Sequence, residues 1–262
     1  MTELVELARA VGLEAADLVA ERRGTGRVSV ADTKSSPTDV VTEVDRAAEE
    51  LIRSRLLAAR PDDGFVGEEG DALEGTSGVD WVVDPIDGTV NFVYGIPVYA
   101  VSIAASIDGE VVAGFVVNIV TREQWAAVRG GGAWRWDGTS RQPLRAPAPA
   151  DLSQMLVGTG FNYVREVRLR QAQAVARLLG HVRDVRRLGS AALDLCALAE
   201  GRLDAYVEQG LQPWDLAAGG LVATESGIVL RGLDGPADER LVMGAHPAVA
   251  QEYFDLVATC GF

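Results

Sequence analysis

Trp81-Val82-Val83-Asp84-Pro85-Ile86-Asp87-Gly88-Thr89 is the stretch on which the reading of this chain turns. Its apolar residues form a strand that reaches an acid at Asp84. Pro85 has no N–H to give a ladder and prevents continued pairing, and Gly88 permits a tight turn into Thr89. Asp84 and Asp87 therefore converge on one side of that turn. Turn chemistry alone accounts for an Asp at a strand end and another before Gly, so by itself the pair leaves a structural role open. Two other segments repeat the theme. Glu68 closes the short apolar run Phe65-Val66-Gly67, where Glu68-Glu69 could also be plain surface loop. Asp215 follows Trp214 at the head of the helical run Leu216 to Ala223, placed to act as N-cap. A helix N-terminus also favours an ionised carboxylate, so capping and cation binding are compatible.

Outward from these segments, apolar residues recur at helical spacing from Glu3 to Arg22 and from Thr42 to Arg60, which predicts two amphipathic helices at the start. Thr42-x-x-Asp45 fits a capping box for the second. Between them Thr33 to Asp39 is polar and interrupted by Pro37, a mobile loop on this reading. Trp81 to Trp136 is rich in Val, Ile and aromatics, with turn signals at Asp108-Gly109 and Asp137-Gly138, and predicts an antiparallel meander. Gly130-Gly131-Gly132 lacks the GK[ST] of a phosphate loop and fits a hairpin or bulge. Trp125, Trp134 and Trp136 fit packing or a subunit contact better than a sugar platform. Pro147 to Ala150 is a joint. Beyond it, helices near 166–180, 190–200, 215–226 and 247–258 alternate with strands near 155–159, 203–207 and 228–231. The expectation is one domain of 262 residues with two lobes, 1–146 and 147–262.

Composition removes several classes. Hydrophobic residues make up 48% of the chain, ample for a core. No apolar run reaches the ~18 to 20 residues that span a bilayer, and acids at Glu3, Glu6, Glu14 and Asp17 are wrong for a signal peptide, so a soluble cytoplasmic protein is expected. Cys196 and Cys260 suggest buried thiols, with neither a disulfide framework nor a thiolate metal site. A net charge of -14 opposes nucleic acid and anionic membrane as partners. The basic stretch Arg183 to Arg187 is the local exception, readable as a solvated strand edge, a subunit contact or an anion site.

With His181 and His246 isolated, the available donors are oxygens, which suit magnesium or manganese over zinc or copper. Electrostatics requires such a cation if the partner is a phosphate. A dianion among four carboxylates meets eight unit repulsions of about 4 kcal/mol each at ~4 Å, an upper-end sum on the order of 30 kcal/mol. Divalent ions reverse that sign.

These segments, with Gly189-Ser190-Ala191-Ala192, Ala205-Tyr206-Val207-Glu208 and Trp214-Asp215-Leu216-Ala217-Ala218-Gly219, together resemble the inositol monophosphatase family of magnesium-dependent, lithium-sensitive phosphomonoesterases. The resemblance covers essentially the whole chain and is strongest to the bacterial inositol-phosphate branch. It implies an α/β (α+β) fold layered αβαβα, the sandwich shared with fructose-1,6-bisphosphatase, and a homodimer. It implies two or three Mg2+ ions, with Mn2+ as a substitute: Glu68, Asp84 and the Ile86 carbonyl at the first, Asp84, Asp87 and Asp215 at the second, and a weaker third near Glu68. Glu68, Asp45 and Thr89 would be catalytic, activating a water for direct attack on phosphorus. Substrate contacts would come from Ile86, Asp87, Gly88, Thr89, Gly189, Ser190, Ala191, Glu208 and Asp215, and Lys34 would lie on a mobile loop over the metals. The implied reaction is hydrolysis of inositol monophosphate to myo-inositol and phosphate. Sister branches acting on histidinol phosphate, fructose 1,6-bisphosphate or 3′-phosphoadenosine nucleotides are the alternative, and an RNA or transcription-associated binding factor is a lesser one.

Overall fold

Helix α1 (Thr2–Arg23) buries Leu4, Val5, Ala8, Val11, Ala15 and Val19, and α2 (Glu43–Ala59) buries Val44, Ala48, Ile52 and Leu56. That spacing of three and four is why both segments are helices with one face turned inward. The computed structural model describes residues 1–24, 32–33, 40–137, 139–149 and 151–262. Between the two helices, β1 (Asp32–Thr33) and β2 (Val40–Val41) pair antiparallel, while Lys34 and the rest of its loop lie outside the described residues.

The helices cover one face of a seven-stranded sheet ordered as in the chain: β3 (Gly64–Gly67), β4 (Val79–Asp87), β5 (Ala100–Ile107), β6 (Glu110–Asn118), β7 (Gln124–Val128), β8 (Gly132–Asp137) and β9 (Ser140–Pro143). Pairing from β4 onward is the expected antiparallel meander, but β3 adds to β4 in parallel. Asp108 and Gly109 both take positive φ, as a type I′ turn demands. Gly138 lies outside the described residues, although β8 and β9 pair across it, Asp137 opposite Ser140.

One sequence expectation fails at Pro85. The strand does not stop at Asp84 but runs on to Asp87, with Asp84 opposite Ser102, Asp87 opposite Ala100 and a register shift between them. The missing N–H of Pro85 displaces the ladder into an irregularity without ending it, and that bend re-aims the two acids.

The second half supplies β10 (Leu156–Thr159), β11 (Asp184–Arg186), β12 (Ala205–Glu208), β13 (Val229–Arg231) and β14 (Val242–Ala245), in the spatial order β11-β10-β12-β14-β13. β14, with four residues, is an addition to the strands expected from the sequence, and β11, with three, falls in the basic stretch readable as a strand edge. β11 is an edge strand with Arg186 exposed, in keeping with the solvated-edge reading of that basic stretch. Four helices accompany this sheet: α4 (Arg165–Leu178), α5 (Ala191–Glu200), α6 (Pro213–Glu225) and α7 (Ala250–Cys260).

Alternation along β12 fixes the layers. Ala205 and Val207 join a core with Leu178 of α4 and Tyr253, Phe254 and Val257 of α7, whereas Tyr206 packs with Leu195 and Leu198 of α5 and Ala223 of α6. On their other side α5 and α6 meet Ala100, Ala104, Val116 and Trp125 of the first sheet. The order is therefore α1/α2, first sheet, α5/α6, second sheet, α4/α7, the αβαβα sandwich anticipated above. Both cysteines are buried and free, and Trp134 and Trp136 pack edge to face in the sheet. Among the described residues no helix is long and apolar enough to cross a membrane.

Candidate active site

Two elements bring three acids together. Asp84 and Asp87 stand at the irregular end of β4 and Asp215 in the first turn of α6, and one carboxylate oxygen from each lies within 4.8 Å of the others. Asp215 is not the N-cap that the sequence suggested. Pro213 takes the first helical position, where a missing N–H costs nothing, so Gln212 caps and Asp215 reaches back to accept from the Gln212 N–H at 2.7 Å.

Asp87 is tied to the start of α5. Its Oδ2 accepts from the Ser190 hydroxyl at 2.6 Å and the Ala192 N–H at 2.7 Å, and its Oδ1 from the Ala191 N–H at 3.3 Å. Ser190 also caps that helix through the Leu193 N–H. Gly88 turns the chain with φ 96°, and a Cβ there would lie 3.0 Å from the carbonyl oxygens of Gly189 and Val98, so glycine is required on both counts. Thr89 then opens α3 (Thr89–Tyr94).

Asp45 and Thr89 form a second buried unit. Asp45 Oδ2 accepts from the Thr42 N–H at 2.9 Å and from the Thr42 hydroxyl, completing the predicted capping box. The Thr89 hydroxyl lies 3.1 Å from Asp45 Oδ1 and 3.0 Å from the Ile86 carbonyl. Glu68, half-buried just after β3, is close enough for its charge to act on Asp45, Asp87 and Asp215. Its loop is held from behind by Glu49 of α2, 4% exposed, whose carboxylate accepts from the Glu69 N–H at 2.8 Å and from the Gly70 N–H.

Asp87, Asp215, Ser190, Asp194, Glu208 and Arg187 line one cleft of about 100 Å³. Gly88, Gly189 and Ala191 lie along it as well. Glu208 accepts from the Tyr206 hydroxyl. Arg187 is the single cation among the described lining residues, its guanidinium against Gly189. A larger groove of about 600 Å³ lies between α6 and the strands β4 and β6, but its lining is mostly apolar and contains none of Asp84, Asp87 or Asp215. The acid-lined cleft is the place where chemistry can happen.

Burial dominates the electrostatics. It pushes the Asp87 carboxyl up to about 6 against the pull of Ser190 and Ala192, and Glu208 up to about 7 against Tyr206 and Arg187. Asp215 is raised well above the usual range by burial and then by the charges of Asp87 and Glu68, and Asp45 is raised by burial against the donors of Thr42. Acids this crowded resist full ionisation until an opposite charge joins them. Neither histidine nor either cysteine lines the cleft, so the donor set is oxygen throughout and fits a hard divalent cation.

Asp45, Glu68, Asp84, Ile86, Asp87, Gly88, Thr89, Gly189, Ser190, Ala191, Glu208 and Asp215 lie in this neighbourhood, and Lys34 lies outside the described residues. Glu49 and Asp194 were missed as site residues, and Arg187 was noted only within its basic stretch. The signal existed for two of them. Glu49 follows Asp45 by one helical turn on the same face, and Asp194 interrupts the otherwise apolar run Ala191 to Ala199 of α5.

Comparison with known proteins agrees with this geometry. The model of the inositol monophosphatase family matches residues 1–259. Inositol-1-monophosphatase SuhB of Mycobacterium tuberculosis is 46% identical over 264 residues, 95% of this chain and 91% of that protein. Nus factor SuhB of Pasteurella multocida is 38% identical over 235 residues, 87% of this chain and 86% of its own. The solved structure of Mycobacterium tuberculosis SuhB superposes with a TM-score of 0.85 at 43% identity, over 99% of this chain and 97% of that one. A five-layer sandwich with an all-oxygen acid cluster that could hold a metal ion agrees with the class of protein these relatives represent, the inositol-phosphate phosphatases. The chain belongs to the inositol monophosphatase family.

Proposed function

We propose that this protein hydrolyses inositol monophosphate to myo-inositol and phosphate, with Mg2+ as cofactor and water attacking phosphorus directly. The observation that carries the reading is the convergence of Asp84, Asp87 and Asp215 near the charge of Glu68, with Asp87 and Asp215 lining a cleft that also presents Glu208 and Arg187. Names of relatives add support for the substrate, since the Mycobacterium tuberculosis protein is an inositol-1-monophosphatase.

Asp84, Asp87, Asp215, Glu68 and the Ile86 carbonyl are the groups we assign to the metals. Bound among these oxygens, divalent cations would balance the carboxylate charge, activate a water and stabilise the leaving alcohol oxygen. Asp45 is our general base, reached through Thr89: the hydroxyl between Asp45 and the Ile86 carbonyl orients the water, and burial raises the affinity of Asp45 for its proton. Ser190, Ala191 and Ala192 hold Asp87 in one orientation, and the N–H groups of Gly88 and Thr89 are available to phosphate oxygens. Glu208 faces the alcohol.

The test is phosphate release from inositol 1-phosphate, fructose 1,6-bisphosphate, histidinol phosphate and 3′-phosphoadenosine 5′-phosphate, with Mg2+ and with EDTA, for wild type and Asp87→Asn. Metal-dependent turnover led by inositol 1-phosphate is expected. Removing the Asp87 charge should cost several kcal/mol of transition-state stabilisation, a loss on the order of 100-fold or more in kcat. Another preferred ester would move the protein to a sister branch. A second reading as an RNA-associated factor is favoured only by the relation to Nus factor SuhB, and the net charge of -14 opposes it. A salt-dependent RNA complex retained by Asp87→Asn would revive it.

A further inference from the structure

Asp194 has no place in the reaction as derived so far. It sits at the fourth position of α5, in a helix whose neighbouring residues are apolar and buried, and it is itself 1% exposed. Its Oδ1 has no hydrogen-bond partner. A buried acceptor left unmade costs about 1 to 3 kcal/mol, more when charged, and Ala or Leu would suit the helix without that cost. The side chain borders the cleft that holds Asp87, Asp215 and Glu208.

We propose that Asp194 is a second alcohol-recognition carboxylate, acting with Glu208 and Arg187 to select esters whose alcohol carries hydroxyls beyond the reacting oxygen. The inference rests on the phosphomonoesterase reading above. Glu208 is held in place from two sides: it accepts from the Tyr206 hydroxyl, and its carboxyl lies so close to Gly160 that a Cβ there would stand 1.9 Å from Oε1. Arg187 brings the only positive charge among the described residues of the cleft wall, opposing the mutual repulsion of Asp194 with Glu208 and Asp87. A hydroxyl both donates and accepts, so it can satisfy Asp194 in either protonation state, which an alkyl group cannot. A site with buried polar groups awaiting hydroxyls discriminates strongly against analogues that lack them.

The experiment compares inositol 1-phosphate with cyclohexyl phosphate, the same ring without free hydroxyls, for wild type, Asp194→Asn, Asp194→Leu and Glu208→Gln with saturating Mg2+. Wild type should favour the inositol ester. In Asp194→Leu, which removes both carboxylate oxygens, KM for that ester should rise roughly tenfold, as expected for one lost hydrogen bond, and the ratio of kcat/KM between the two esters should fall by a similar factor. Asp194→Asn, which keeps an acceptor oxygen, should retain part of the preference. An equal loss on both esters, or a drop in melting temperature with the ratio intact, would mean Asp194 serves the fold and would overturn the proposal. If wild type prefers cyclohexyl phosphate, the inositol assignment fails, and glycerol 1-phosphate against propyl phosphate carries the same comparison: a ratio that falls in Asp194→Leu upholds the role, and one that stays overturns it. A wild type inert toward all four esters overturns the phosphatase reading and this inference together.

Discussion

The Asp87 carboxylate gives both oxygens to donors at the start of α5 and still lies within reach of Asp84 and Asp215, so one residue fixes both the acid cluster and the helix behind it. Glu49 performs the comparable task for Glu68 from the other side. Buried in α2, it collects the N–H groups of Glu69 and Gly70, and a Cβ on Gly67 would lie 2.3 Å from its Oε2. Glu49→Ala should therefore free the loop that aims Glu68 and weaken Mg2+ binding by about 10- to 100-fold, the usual range for groups that orient a ligand. Glu49→Gln, which keeps an acceptor oxygen, should recover part of the loss. Calorimetric Mg2+ titration of each variant, alongside urea unfolding in EDTA, separates the two explanations. A variant that unfolds more easily yet binds Mg2+ with wild-type affinity would reduce Glu49 to a structural role. The difference in legibility between these two acids is physical. Asp84, Asp87, Asp215 and Glu68 announce themselves in the sequence because each ends an apolar run, where solvent alone does not explain a charge. Glu49 precedes Glu50 in a helix of ordinary amphipathic pattern, and only the tertiary approach of the Gly67 to Gly70 loop distinguishes the buried acid from its exposed neighbour.

At the level of elements, helix existence was readable from period and the layer order was not. Residues Ala191 to Ala199 of α5 are all buried, and a helix that is apolar all round says it is enclosed without saying by what. Alternation along β12 likewise marks two faces but not their partners until α5 and α7 are in place. Short strands have too few residues for any period, as at β11, and α6 starts two residues before the expected 215 because Pro213, with no N–H to satisfy, occupies its first position. The enclosure depends on small residues. Gly114 of β6 sits under α6, and a Cβ added there would lie 2.9 Å from the Ala218 Cα and 3.0 Å from its carbonyl oxygen, both backbone atoms that yield only if the helix moves. Since α6 carries Asp215, Gly114→Ala should couple packing to chemistry. Stability should fall by about 1 to 3 kcal/mol, the usual cost of overpacking, and kcat should fall with it. Denaturant unfolding and phosphate release on the same preparation test the coupling. Wild-type kcat in a clearly destabilised variant would show that α6 holds Asp215 in register despite the added methyl.

The whole molecule carries a net charge of -14 and keeps its least favourable charges inside, which sets a pH dependence whose sign can be worked out. Asp87 is raised to about 6 and Glu208 to about 7, each chiefly by burial, so between about pH 4 and pH 7 the metal-free fold binds more protons than the unfolded chain. The stability these groups contribute is complete below the unfolded carboxylate range near 4 and is lost as pH rises through 6 to 7. Asp63 behaves in the opposite sense. Although burial works against it, Arg60, Ser77 and Trp81 hold its carboxyl below the ordinary range, so its contribution disappears only as pH falls below about 4. Melting temperature in EDTA should consequently be highest near pH 4 to 5 and decline toward pH 7.5. Mg2+ must meet ionised carboxylates, so its binding expels the protons that Asp87 retains near pH 6, and the stabilisation it adds grows with pH, reaching about 2.7 kcal/mol at one hundred times its dissociation constant. The EDTA and Mg2+ curves should separate from pH 5 upward. Near pH 6 the heat of Mg2+ binding should depend on the ionisation enthalpy of the buffer, with net proton release. An EDTA curve that climbs from pH 5 to 7, together with a buffer-independent heat, would mean these acids are already ionised in the metal-free fold, and the electrostatic case for a cation at Asp84, Asp87 and Asp215 would fail with it.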